Sequence, residues 1–221
     1  MSKKLVIIGD TSNANLAHYY FKKDTSYQVV AFCVDDEFLN KSEFNGLPVV
    51  PFSSLESKYP KEHFDCFVAV GYNEMNDVRM RLYQKVKELG YYLPNYISPR
   101  CSFLTEEKLG DNNFILEDNT IQPFVKIGSN NVFWSGNHIG HDVQIDDHCY
   151  ITSHVVISGF TRIRNNSFLG VNATLRDAIT IGEYTLIGAG ASIMKNTKEG
   201  GVYLAPKPIE LEKDSRNLKI S

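Results

Sequence analysis

Thirteen residues, GNHIGHDVQIDDH (136–148), hold three histidines and three aspartates. Three chemistries fit such a density. Histidines can hold zinc when their spacing brings them to one point. One imidazole beside a carboxylate can act as a general base, because an ordinary histidine pKa near ~6.5 lets it take a proton at neutral pH. Alternatively, the groups are the solvated outer surface of a repeating strand. The period of the surrounding chain decides among them.

That period is six. Counting in sixes from Leu109 gives Ile115, Ile121, Ile127, Phe133, Ile139, Ile145, Ile151, Ile157, Ile163, Leu169, Leu175, Ile181, Ile187 and Ile193. Every one is large and apolar. Position five of each hexad is mostly small, β-branched or Asn, as at Val125, Val143, Val155, Thr161, Ser167, Ala173, Thr185 and Ala191. Glycine stands at position two at 110, 128, 140, 170, 182 and 188. This is the mark of a hexapeptide-repeat β-helix. Three short strands make one triangular coil, the first residue of each hexad points inward, and glycine is expected to permit tight corner backbone. Ile97 and Phe103 keep the frame, so a partial coil precedes the regular ones. Parallel crossovers are normally right-handed; hexad repeats are associated with the left-handed coil, a known exception. No insertion breaks the frame.

The frame sorts the histidines. Inward positions 139, 145 and 151 are all isoleucine, so no histidine in this stretch takes the inward apolar position. His138 takes position six, His141 position three, and His148 and His154 position four. His138, His148 and His154 are expected to be solvated or to meet a neighbouring subunit, with His138 or His154 able to line a cleft. Asp142 follows His141 directly. Adjacent strand side chains point to opposite faces, so the two meet only if a corner breaks the alternation or another subunit intervenes. Trp134 suits either packing or a wall of a binding site, Asn137 a corner, and Asp146–His148 a polar turn.

Residues 1–95 read differently. Leu5–Gly9, Val29–Val34 and Asp65–Gly71 are short apolar runs, as in strands buried on both faces of a parallel sheet. The apolar spacing of Met75, Val78, Leu82, Val86 and Leu89 predicts a helix over Glu74–Leu89, capped by Asn73 and ended by Gly90. This is a small Rossmann-like α/β unit. After the first strand, Gly9 is followed by Asp-Thr-Ser-Asn-Ala-Asn and lacks the later glycines of a dinucleotide fingerprint. Gly9, Ser12, Asn13 and helix amides can meet a phosphate, and Asp35 or Asp36 a ribose hydroxyl. Equally, Gly9 turns the chain and the acids end a strand.

Composition narrows the partners. The chain has 221 residues, is 43% hydrophobic and 12% aromatic, and carries a net charge of −3. That supports a real core and gives no electrostatic case for nucleic acid or an anionic membrane. Four scattered cysteines (Cys33, Cys66, Cys101, Cys149) read as reduced thiols of a cytoplasmic protein. The apolar run after MSKK meets Asp10 too soon for a signal peptide or a membrane span.

The order of parts resembles the bacterial PglD/NeuD-like sugar N-acetyltransferases of the hexapeptide-repeat class. The residues that carry the resemblance are VIIG, the strand end VDD, VAVG with Arg79 beyond it, HIGHDVQI, FLGVNATL and IGAGASIMKN. The resemblance implies a Rossmann-like nucleotide-sugar domain over 1–95, a left-handed β-helix over 96–198 and a tail over 199–221. It implies acetyl transfer from acetyl-CoA to the amine of a nucleotide-linked amino-deoxy sugar, at C4, for cell-surface glycan biosynthesis. It also implies a homotrimer with the acceptor cleft between subunits, and no metal. Carried over residue by residue, His141 is the base, Asp142 its partner and Gly159, one coil on, the amide donor to the oxyanion. Sugar-nucleotide contacts fall on Gly9, Ser12, Asn13, Asp35, Asp36, Gly71, Trp134 and His138. CoA contacts fall on Gly159, Asn172, Ala173, Gly188, Ala189 and Lys195. The terminal GVYLAPKP (201–208) keeps only a trace of the family's GVPAK.

Three rivals make different demands. A γ-carbonic-anhydrase-like zinc site needs a close histidine pair that the gaps 138–141–148–154 do not provide. A trimeric scaffold without catalysis would tolerate loss of His141. A sugar or sialic acid O-acetyltransferase would use the same base.

Overall fold

The computed structural model describes residues 3–210, 212 and 215–217; the remainder of the tail assigned to 199–221 lies outside the described residues. The first half contains β1 (Lys4–Ile8), α1 (Ser12–Asp24), β2 (Gln28–Val34), β3 (Glu43–Phe44), β4 (Leu47–Pro51), α2 (Leu55–Lys58), β5 (Phe64–Val68) and α3 (Asp77–Glu88). The sheet runs β3-β4-β2-β1-β5 and is parallel except at β3. Leu5, Ile7 and Phe67 face one apolar layer and Val6, Ile8 and Cys66 the other, all fully buried, which accounts for the unbroken apolar runs. The β3–β4 hairpin adds an antiparallel edge to the expected parallel sheet. Its signal is Asn45-Gly46, whose φ angles of 51° and 75° make the two-residue turn that matches strand twist.

Helix α3 begins later than its apolar spacing predicts. Glu74, Met75 and Asn76 all have positive φ, so the chain makes a left-handed turn and enters the helix at Asp77. The Asn76 amide is turned toward the second half of the chain, where it donates to the Asn166 carbonyl at 3.0 Å and accepts from Arg79 at 2.9 Å. Gly90, with φ 83°, ends the segment as expected.

From Tyr96 the chain winds a left-handed β-helix of two-residue strands. Up to Ile193 the paired strands lie eighteen residues apart and run parallel, as Val132 with Tyr150 and His138 with Val156. The strands form three faces of four, six and seven strands. The inward residues Ile115 to Ile193 make one core, with Leu109 packed half-buried at its end. Val202–Tyr203 pairs with Leu186–Ile187, so the start of the assigned tail continues the prism. Among the described residues no helix is long and apolar enough to cross a membrane.

Position four, not the glycine at position two, carries the corner conformation. Every sixth residue from Asn112 to Gly190 has φ between 52° and 78°. Asn, Asp, Gly and His fill most of these places, and Asn, Asp and Gly tolerate the left-handed region best. The position-two glycines serve close stacking. A Cβ at Gly128 would collide with the Asp147 carboxylate, and one at Gly140 would lie 2.7 Å from the Gly159 nitrogen.

The halves are joined through the 146–149 corner and the face containing Tyr150. Arg79 is 1% exposed and, among the described residues, has no carboxylate partner. It donates to the carbonyls of Gly71 (2.9 Å), His148 (2.7 Å), Asn130 (3.2 Å) and Cys149 (3.2 Å). Burial lowers its pKa to about 10, which leaves it charged at neutral pH. A buried cation held by carbonyls fixes helix α3 against the coil, since every donor not so paired would carry a desolvation penalty. His148 belongs to this seam and is not solvated. It is 8% exposed, shares a hydrogen bond with Asn130 at 2.9 Å, and packs edge-on against Tyr83.

Candidate active site

The 140–143 corner presents His141 and Asp142 to solvent, with side chains 52% and 40% exposed. Asp142 stands at position four with φ 58°. That left-handed residue ends the strand alternation and swings the carboxylate back, so Oδ2 lies 2.9 Å from His141 Nδ1. The condition set by the sequence is met within one chain. Gln122 Oε1 accepts the His141 backbone N–H at 2.8 Å, and Phe160 N–H donates to the His141 carbonyl at 3.1 Å. The Phe160 ring meets the imidazole edge-on, centroids 4.9 Å apart. Neither Gln122 nor Phe160 stands out in the sequence. Both are found only by stacking the coils, which brings residues nineteen positions from His141 against it.

With Nδ1 turned to the carboxylate, Nε2 has no hydrogen-bond partner among the described residues. It faces Gly159, where a Cβ would come within 2.9 Å of it. The absence of side chains at both Gly140 and Gly159 leaves the Gly159 amide uncovered beside the imidazole, and among the described residues no acceptor takes its N–H. A base and an open backbone donor therefore share one corner, as acyl transfer requires. His138 lies exposed on the strand leading into this corner.

The candidate sugar-nucleotide residues divide into two sets. Gly9 and Asp35 line a cavity of about 440 Å³ with Thr11, Phe38, Asn73 and Arg81. Gly9 has φ 120°, and a Cβ there would lie 2.9 Å from the Ala69 carbonyl, so its conformation and its close packing both require glycine. Asp35 is paired with Lys85 at 2.8 Å. Asp36 turns away from this cavity and accepts from the Ser53 hydroxyl and the Ser53 amide (3.0 Å), which hold its carboxyl below the usual range. Asn13, in the first turn of α1, adjoins Gly71 beyond β5, its amide nitrogen lying 3.0 Å from the Cβ position of Gly71. Ser12 opens α1 and is exposed.

Trp134 packs in the seam between the halves and donates to the Tyr150 hydroxyl at 2.7 Å. It stands on the Tyr150 face and not on the His138 face, so within one chain it does not adjoin His141. The cavity and the His141 corner likewise share no residue.

Of the expected CoA contacts, Asn172, Ala189 and Lys195 are exposed at the upper coils. Gly188 is half-buried beneath the Leu204 side chain. Ala173 is a correction: its side chain is fully buried in the coil core, its N–H bonds the Gly170 carbonyl, and its own carbonyl is taken by Val156. Position five points into the prism, which leaves no group of Ala173 for a ligand. Among the described residues no three His, Cys, Asp or Glu side chains gather where a metal ion would sit.

Comparison with known proteins fits this arrangement. Residues 4–86 match the PglD N-terminal domain family. The acetyltransferase domain of PglB from Neisseria gonorrhoeae FA1090 superposes with a TM-score of 0.82 at 25% identity, covering 92% of this chain and 97% of that one. A second structure of that domain, in complex with acetyl coenzyme A, gives 0.81 at 25% identity over 93% and 97%. PerB from Caulobacter crescentus, solved with CoA and GDP-perosamine, shares the fold with a TM-score of 0.80 at 23% identity over 91% and 94%. A UDP-N-acetylglucosamine O-acyltransferase of Nautilia profundicola is 26% identical over 99 residues, 42% of this chain and 38% of that protein. The chain thus spans well under half the length of the curated relatives it matches.

Proposed function

We propose that this chain, in which a PglD-type domain precedes a left-handed hexapeptide coil, is an acetyl-CoA-dependent N-acetyltransferase. Its acceptor is the C4 amine of a nucleotide-linked amino-deoxy sugar destined for cell-surface glycan. The observation that carries the reading is the His141–Asp142 pair with Nε2 turned toward the open Gly159 amide. An amino sugar is protonated at neutral pH and attacks a thioester only as the free amine. His141 Nε2 accepts the proton lost as the C–N bond forms. Asp142 holds Nδ1–H and stabilises the imidazolium, the role of a carboxylate in other base-catalysed acyl transfers. The Gly159 N–H donates to the oxyanion that develops on the carbonyl oxygen; as that oxyanion collapses the C–S bond breaks, and CoA leaves as a thiolate that takes the proton from the His141 imidazolium. Asn172 and Lys195 offer exposed polar side chains for CoA on the upper coils, with Ala189 exposed beside them, and the Gly9–Asp35 cavity suits the nucleotide.

Separation of that cavity from the His141 corner supports a homotrimer, in which one subunit's corner meets the next. A cytoplasmic location agrees with the free cysteines. O-acetylation is the second reading, favoured by the O-acyltransferase relatives, because the same base activates a hydroxyl. Purified protein assayed with acetyl-CoA against UDP-, dTDP- and GDP-linked amino sugars is expected to release CoA with one of them. No release with any, and release with hydroxyl acceptors instead, would replace the first reading by the second.

A further inference from the structure

We propose that Phe160 is a positioning residue that fixes the plane of the His141 imidazole; the proposal rests on the reading of His141 as the base. Position four of each hexad demands a left-handed backbone, which bulky side chains resist. Only Phe124, Phe160, Ala178 and Tyr184 depart from the Asn, Asp, Gly and His found at the other corners. Tyr184 has a visible reason, since its hydroxyl donates to Asp77 of α3 at 3.0 Å. Phe160 combines φ 60° with 60% exposure, so neither backbone preference nor core packing accounts for it.

Its contacts do account for it. The Nδ1–Asp142 bond sets which nitrogen carries the proton, but a single hydrogen bond leaves an exposed ring free to swing about it. The Phe160 ring lies at 89° to the imidazole with centroids 4.9 Å apart, and its backbone N–H holds the His141 carbonyl. These contacts close the remaining freedom on the side of the next coil, while Gly159 leaves room at Nε2. Phe124 has the same rank one coil below Asp142, with φ 66° and 61% exposure, and makes no ring contact with His141. It is the internal control.

Phe160→Leu keeps an apolar side chain but removes the ring, Phe160→Tyr keeps the ring, and Phe124→Leu makes the same change away from the imidazole. Each protein is compared with wild type in melting temperature, oligomeric state, crystal structure and CoA release with the amino sugar that wild type uses. Phe160→Leu is expected to lower kcat about tenfold at unchanged KM, with the imidazole in more than one orientation. Phe160→Tyr and Phe124→Leu are expected to stay within about twofold. If Phe160→Leu does not fold, Phe160→Asn removes the ring with the backbone strain relieved, and the same outcomes apply. A wild-type imidazole orientation in the ring-less variant, or equal kcat losses in Phe160→Leu and Phe124→Leu, overturns the proposal. If wild type turns over no sugar, the base assignment fails, and the crystal structures still decide whether Phe160 orients the ring.

Discussion

His141 and Asp142 are neighbours in sequence, yet Nδ1 and Oδ2 stand 2.9 Å apart because Asp142 adopts a left-handed corner conformation. In an extended strand the two side chains would lie on opposite faces. The corner thus makes a base and its carboxylate out of two consecutive residues.

His141→Asn is expected to lower kcat/KM by about a hundredfold or more while the coil stays folded, since a positioned base contributes about 10² to 10⁴. Asp142→Asn is expected to lower kcat by about tenfold or more at unchanged KM, because the amide presents a donor as well as an acceptor to Nδ1. Steady-state kinetics beside circular dichroism checks both. Near-normal kcat/KM in folded His141→Asn would remove His141 from the mechanism.

Gly159→Ala tests the open amide. Its Cβ would come within 2.9 Å of His141 Nε2 and 3.0 Å of Cε1, so the imidazole must move. A fall in kcat of about a hundredfold is expected with little change in melting temperature, because the side chain lies at the surface. Unchanged kcat would mean that the imidazole has room to spare.

Stability at acid pH depends on His148. Burial pushes its pKa from 6.5 down to about 4; Arg79 lowers it further, while Asp147 and Asp77 act in the opposite direction. The folded protein therefore holds this imidazole neutral while the unfolded chain protonates it. The stability it contributes is complete above pH 6.5 and is lost as pH falls to about 4, with a slope of up to about 1.4 kcal/mol per pH unit. Urea unfolding across this window is expected to show a shallower loss in His148→Gln. Equal slopes would place the acid sensitivity elsewhere.

Arg79→Met is expected to destabilise the protein by about 3 kcal/mol, since it strands several buried carbonyls and the Asn76 amide oxygen at the seam. The urea midpoint measures this, and a shift below about 0.5 kcal/mol would show that water replaces the guanidinium.

The six-residue period of large apolar residues makes the coil, its core and its register legible in the chain itself, because an inward position recurs locally along it. The same frame keeps the histidines of the coil off its inward positions, and the resemblance to the hexapeptide-repeat sugar N-acetyltransferases singles out His141. Two further signals are local and equally readable: the Asn-Gly hairpin, and the run of Asn, Asp, Gly and His at position four. The position-two glycines mask the second of these, since glycine is the residue first expected at a tight corner, whereas here it permits close stacking of coils.

The sequence by itself determined which residues face inward, that a Rossmann-like unit precedes the prism, and that one histidine has an acid beside it. Only the tertiary structure decided that the acid reaches the histidine, that Phe160 and Gly159 flank the ring, that Ala173 is core, and that His148 and Arg79 lock the halves together. The first set follows from a local period. The second depends on corner dihedrals and on contacts between residues eighteen to seventy positions apart, which no local pattern encodes.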